Sequence, residues 1–199
     1  MTKSEDAQMI VKPTMDGLAA SAKAAGRKGP PPVHLWNPPF CGDLDIRVAR
    51  DGTWFYLGTP IGRAPLVRLF SSILKREGDR YYLVTPVEKV GITVDDAPLF
   101  VVDFTVEAPG HDQIITFHTK TEDDAVCNAE HPLRVARDAK TDEPAPYVLI
   151  RPGLEARIDR KSFYRLVEIG LIEPLDGEDW FGVRSSGCFF PVILAKELP

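Results

Sequence analysis

The chain has 199 residues, with 24 Lys+Arg against 29 Asp+Glu, a formal net charge of −5 and 44% hydrophobic residues. It is long enough for one large domain or two small ones around a real core. The acidic balance excludes a generally basic protein that coats phosphate backbones. Gly and Pro, 15 and 18 residues, predict many turns and short elements without a collagen-like or low-complexity composition.

Cys41, Cys127 and Cys188 stand far apart with no CxxC spacing. Three such residues do not make a fully paired disulfide framework and read as reduced thiols of a cytoplasmic protein. Residues 1–25 hold no continuous apolar core of a secretory signal. No run of about 18 apolar residues predicts a membrane span. Pro13 interrupts any single helix near the start, and a short helix after it would pack Met15 and Leu18. Gly26–Pro32 reads as a linker, since Gly and a Pro run propagate neither helix nor sheet.

Leu44–Arg50 and Thr53–Gly58 flank Asp51-Gly52 and predict a β-hairpin with a two-residue turn. That register puts Ile46, Val48, Phe55 and Leu57 on a core face. Asp45, Arg47, Trp54 and Tyr56 then form a second, aromatic and charged face. A helix is predicted over Arg63–Arg76 from the stripe Leu66, Leu69, Phe70, Ile73 and Leu74. Tyr81–Thr85 and Val87–Val94 read as strands. From Leu99 to about Ala136 the pattern is β throughout. Tyr147–Arg151 and Leu154–Ile158 are short strands, and Arg160–Ile169 a second helix. Asp179–Val183 and Cys188–Leu194 close the chain as strands.

The two helix starts match without gaps. Ile61 to Leu69 aligns with Ile158 to Leu166 at an offset of 97, sharing Ile, Arg, Arg and Leu. Asp159 is a good N-cap, with Ile158 and Phe163 as a hydrophobic staple; Gly62 is the weaker counterpart, with Ile61 and Leu66. After each helix an acidic Gly turn leads to two aromatics, Tyr81-Tyr82 and Trp180-Phe181. The pattern indicates an internal duplication. Arg63 and Arg160 sit in a first helical turn, where the dipole disfavours cations, so a structural carboxylate or an anionic ligand should offset the cost. Charge is uneven along the chain: Asp95–Glu143 holds twelve acids against four Lys+Arg, and Leu44–Val94 holds eight Lys+Arg against five acids.

Candidate chemistry is sparse. His34, Cys41, Asp43 and Asp45 lie close in sequence and would serve a thiol- or metal-assisted hydrolase. No HxxxH, CxxC or Asp-rich Gly loop accompanies them, so they read more simply as strand-entry residues. His111, His118 and His131 read as ordinary polar residues of the β-rich middle. No dinucleotide fingerprint, P-loop or GxSxG is present. No metal or cofactor is expected.

Asn37-Pro38-Pro39-Phe40-Cys41-Gly42-Asp43-Leu44-Asp45-Ile46, then Asp51–Arg63 and Leu66–Leu74, resemble a bacterial family, domain of unknown function 1285. The Cys-Gly-Asp-x-Asp-Ile and Pro-Ile-x-Arg elements carry the resemblance, which spans about Trp36 to Leu194. It implies a two-part α+β fold with a repeated motif and a C-terminal half superficially like a pleckstrin-homology barrel. It also implies a binding role in signalling rather than a known reaction.

The expected architecture is therefore α+β: a segment and linker over 1–32, an α+β half over 33–94 and a β-rich half over 95–199. The expected function is a non-enzymatic cytoplasmic binding module. Its ligand would be a peptide, protein or small anion near the junction of the halves. Arg63, Arg160, Asp43, Asp45, Trp54 and Tyr56 are the candidate binding residues. The hydrolase is the alternative, and local nucleic-acid binding by the positive first half a further one.

Overall fold

The structure is a computed structural model that describes residues 13–25, 31–110, 112–138 and 141–198. Met9, Ile10, most of the Gly26–Pro32 linker and His111 lie outside the described residues. The chain divides into two units, 1–47 with 55–93 and 48–54 with 94–199.

The first unit opens with α1 (Met15–Ala25), which buries Leu18, Ala19 and Ala22 along one stripe and leaves Met15 half-exposed. The strands are β1 (Phe40–Val48), β2 (Trp54–Tyr56), β3 (Thr59–Pro60), β4 (Leu74–Glu77), β5 (Arg80–Val84) and β6 (Lys89–Val94), with α2 (Ala64–Ser72) between β3 and β4. They form a six-stranded sheet in the order β3-β2-β1-β6-β5-β4. Its core holds Leu44, Ile46, Phe70, Ile73, Leu74, Leu83 and Val90, all nearly without exposure.

The second unit contains β7 (Leu99–Glu107), β8 (Ile114–Thr119), β9 (Asp124–Val126), β10 (Leu133–Arg137), β11 (Pro144–Arg151) and β12 (Leu154–Ile158). Their order, β9-β8-β7-β12-β11-β10, repeats that of the first sheet. Each sheet is two three-stranded meanders joined through one central pair. β7 and β12 pair in parallel. The bonds Lys89 N–H to Pro39 O and Asp95 N–H to Val48 O give β1 and β6 the same sense. The chain then continues through α3 (Arg160–Glu168) into a third meander of β13 (Leu171–Leu175), β14 (Glu178–Ser185) and β15 (Cys188–Leu194).

Three sequence expectations change. The β1–β2 loop is three residues, not two: Ala49 N–H donates to Thr53 O and Leu57 N–H to Asp45 O. Gly52 takes φ +74° after a turn in which its N–H reaches Ala49 O, so it occupies the left-handed position of a three-residue hairpin loop. A one-residue slip exchanges the faces of a strand. Val48 therefore opposes Trp54, and Trp54 is a core residue at 2% exposure, while Leu57 is exposed.

The first helix stops at Ser72 rather than Arg76. Ile73 turns its N–H back to Phe70 O, and Leu74–Glu77 pairs with Arg80–Val84 through a turn at Gly78, φ +60°. Strand pairing overrides the helical propensity of Leu74, Lys75 and Arg76. Finally, the α2 N-cap is Arg63, not Gly62, and no side chain caps it; Asp159 caps α3 as expected, accepting from Ser162 N–H at 2.7 Å.

Both helices have nine residues, both end on a capping isoleucine (Ile73, Ile169), and both lead into a meander. Their buried positions, Leu66 with Phe70 and Ser162 with Leu166, correspond at an offset of 96. The sequence identities at 97 are thus one residue out of structural register. Arg63 caps α2 from outside, whereas Arg160 is the first residue within α3.

Candidate functional site

In the first unit, cations and aromatics share one sheet face. Asp43 on β1 accepts from Arg80 Nη2 on β5 at 2.6 Å, although β6 lies between the two strands. Gly91 on β6 makes the crossing possible, because a Cβ there would stand 2.0 Å from Asp43 Oδ1. Arg80 covers the Phe40 and Tyr82 rings, and Lys89 covers Tyr82 at 5.0 Å. Glu77 receives Lys89 at 2.8 Å and Lys75 at 3.2 Å. The Lys89 bond, with Lys75 beside it, holds the Glu77 carboxyl below its ordinary pKa against the opposing effect of burial. Arg80, Lys75 and Lys89 are each matched by a carboxylate.

The other first-unit candidates stand apart from this cluster. Asp45 is exposed, and Tyr56 is half-buried opposite Thr59. Arg63 is exposed, with no side-chain hydrogen bond or ion pair among the described residues. The Cys41 thiol donates to the Pro39 carbonyl at 3.5 Å rather than to an imidazole, and His34 is exposed on a single 3-10 turn. No group of three or more His, Cys, Asp or Glu side chains that could hold a metal occurs among the described residues.

The second unit has a pocket of about 440 Å³. Arg50, Arg157 and Arg160 line it with Phe100, Phe163 and Tyr164, Pro144 and Pro146, and the carboxylate residues Asp51, Glu143 and Asp159. Alternation along β12 turns Ile158 into the core at 2% exposure and Arg157 to the other face. Arg157 Nη1 meets Asp96 Oδ2 at 2.5 Å, and the Tyr147 hydroxyl donates to Asp96 Oδ1 at 2.7 Å. Burial pushes the Tyr147 phenol up, and the bond to Asp96 adds to the shift, so it stays a protonated donor. Arg134 stacks over the Tyr147 ring at 4.4 Å and forks onto Glu155 with two bonds of 2.6 Å. Arg50 donates to Asp138 at 2.6 Å, and the Asp138 side chain is only 4% exposed.

Arg160 differs from its neighbours. Its Nε donates to the Tyr164 hydroxyl at 2.8 Å, one helical turn on, and the guanidinium lies 5.5 Å from that ring. Among the described residues no carboxylate forms an ion pair with it. Tyr164 orients the group and leaves its terminal nitrogens without a protein acceptor among those residues. Two of the pocket's carboxylates already serve the backbone: Asp51 accepts from Thr53 N–H, and Asp159 caps α3.

Arg160 is thus the sequence candidate that lines this pocket. Sequence reasoning missed Arg50, Arg157, Asp96 and Tyr147. The alternation Glu155, Arg157 against Leu154, Ala156, Ile158 was the available signal for one of them. Elsewhere in the unit, His118 bridges Asp124 at 2.8 Å and Thr105 at 3.2 Å, and His131 meets the Leu149 carbonyl, so both have partners.

Comparison with known proteins agrees with this architecture. The N-terminal domain of DUF1285, a domain of unknown function, matches residues 31–97, and its C-terminal domain matches residues 98–192. The chain belongs to the DUF1285 family. A DUF1285 family protein of Silicibacter pomeroyi DSS-3 is 63% identical, with a TM-score of 0.83 over 91% of this chain and 97% of that one. A second DUF1285 family protein, from Shewanella baltica OS155, is 29% identical, with a TM-score of 0.50 over 63% of this chain and 92% of that one. No curated protein matched. Arg50 and Arg160 therefore fall in the N-terminal and C-terminal family domains respectively. No helix among the described residues of this DUF1285 protein is long and apolar enough to cross a membrane.

Proposed function

We propose that this DUF1285 protein is a non-enzymatic binding module that holds a ligand by an anionic group in the pocket of its second unit. The observation that carries the reading is Arg160: a guanidinium oriented by Tyr164, facing a cavity, with no carboxylate partner among the described residues. Arg50 and Arg157 are committed to Asp138 and Asp96, so they supply positive potential rather than free donors. A planar guanidinium with unused N–H groups suits a carboxylate or phosphate, which it binds through paired, charge-assisted bonds. Phe100, Phe163, Pro144 and Pro146 supply rigid apolar walls for the rest of the ligand. The module would act in the cytoplasm of a bacterium, in signalling, as the family resemblance suggests.

The test is calorimetric titration with benzoate and phenyl phosphate. Wild type and Arg63→Ala should bind at least one of them equally well. Arg160→Ala should weaken that binding at least tenfold. Failure of wild type to bind either probe, or equal binding by Arg160→Ala, would overturn the reading.

A further inference from the structure

A second cavity of about 200 Å³ adjoins the first and shares Phe163 and Pro144 with it. Its other walls include Val135, Val167, Val192 and Leu198. Arg137 is the one charged residue lining it, and its guanidinium already faces Asp142 and Glu197, each at 3.7 Å. A charged pocket and an apolar pocket thus meet across one phenylalanine and one proline. Resting on the anion site above, we propose that the ligand is a small amphipathic anion. Its carboxylate or phosphate head lies on Arg160, and its apolar tail passes Phe163 into the second cavity.

Size supports this division of labour. A dry cavity of about 150 Å³ accepts a benzene ring, so the second cavity holds a tail of ring size or a short alkyl chain. The walls leave two apolar side chains open to solvent, Val167 at 38% and Leu198 at 37% exposure, which a bound tail would cover. The charged pocket has no comparable need, because Arg157 and Arg50 already have carboxylate partners.

The experiment compares butyrate, octanoate and 1-octanol by NMR titration of wild type, Arg160→Ala, Val167→Asp and Leu198→Asp. Both aspartate variants change partly exposed side chains, and a thermal melt of each confirms folding. Octanoate should bind at least tenfold more tightly than butyrate, because its added methylenes leave water. Val167→Asp and Leu198→Asp should remove most of that gain and keep butyrate binding, whereas Arg160→Ala should weaken both acids. Equal binding of butyrate and octanoate by wild type would overturn the tail pocket and leave the anion site standing. Octanol binding as tightly as octanoate would overturn the paired head and tail. Full retention of the octanoate gain in both aspartate variants would place the tail elsewhere and also overturn the proposal. Loss of all acid binding from wild type would remove the anion site itself.

Discussion

The two six-stranded sheets have one strand order but treat the same position differently. In the first, Tyr82 on the middle strand of a meander is flanked in register by Lys75 and Gly91. In the second, Tyr147 is flanked in register by Arg134 and Arg157. Tyrosine and its first cationic neighbour correspond; the second neighbour is glycine in one sheet and arginine in the other. The bare Gly91 lets Asp43 and Arg80 close over the strand, so that face satisfies its own charges. Arg157 instead reaches Asp96 and becomes a wall of the pocket that holds Arg160. One residue separates a face that closes on itself from one that borders a cavity.

The sharpest way to break this comparison is to remove each carboxylate. Asp96 is 13% exposed and serves both Arg157 and the Tyr147 hydroxyl. Asp96→Ala should cost about 3 kcal/mol in urea unfolding, since a half-buried cation and a hydroxyl lose their acceptor. Asp43→Ala breaks a pair whose side chains are 67% and 55% exposed, and should cost less than about 1 kcal/mol. Equal losses would show that the two networks are not different in kind. Cys127 reports which sheet has loosened. Its buried thiol is pushed up to about 12, so at pH 8 only about one in ten thousand is ionised while the fold is closed. Alkylation of Cys127 should be faster in Asp96→Ala than in Asp43→Ala, and the reverse order would contradict the assignment.

Glycine substitutions sharpen the contrast with smaller effects. Gly52 has φ +74°, and a Cβ there would lie 2.5 Å from Phe100 Cβ. Gly52→Ala should cost about 2 kcal/mol, from left-handed strain with little room for relief. At Gly91 the obstructing atoms are the ends of two exposed, flexible side chains. Gly91→Ala should displace the Asp43–Arg80 pair yet change stability by less than about 1 kcal/mol, because strand preference for alanine offsets part of the loss. Denaturant midpoints of the two variants decide this order.

The smallest effect concerns pH. The folded Glu77 carboxyl titrates below its unfolded value, chiefly through Lys89. Its stabilisation is therefore complete above the ordinary carboxylate range and is lost as pH falls through the lowered folded pKa. Glu77→Gln should be slightly less stable than wild type at pH 7, with the difference narrowing below pH 4. A difference that widens in acid would reverse the sign and refute the pairing.

The fold was largely readable in the sequence, and the errors share a cause. Asp159 as a cap, Leu18 as an anchor and the repeated helix starts follow from local chemistry and were visible. Trp54 was misplaced because a two-residue and a three-residue turn both use Asp51-Gly52, and the difference reverses a strand face. Leu74–Glu77 was read as helix because its pairing with Arg80–Val84 is set by the fold of the turn, not by propensity. The pocket was only partly legible for a similar reason. Arg160 announced itself as a cation at a helix start, but Arg50, Asp96, Tyr147 and Arg157 come from separate strands and loops that no local pattern links. Arg63 carried the same sequence signal as Arg160 and has neither a tyrosine one turn on nor a place in this pocket.

The central claim is that Arg160 is the anion-binding guanidinium, and side-chain NMR tests it most directly. The Nε–H signals of Arg160 and Arg80 can be followed together while benzoate is added. Arg160 should shift saturably, and Arg80, committed to Asp43, should stay in place. An unmoved Arg160 signal, or equal movement of both, would contradict the account.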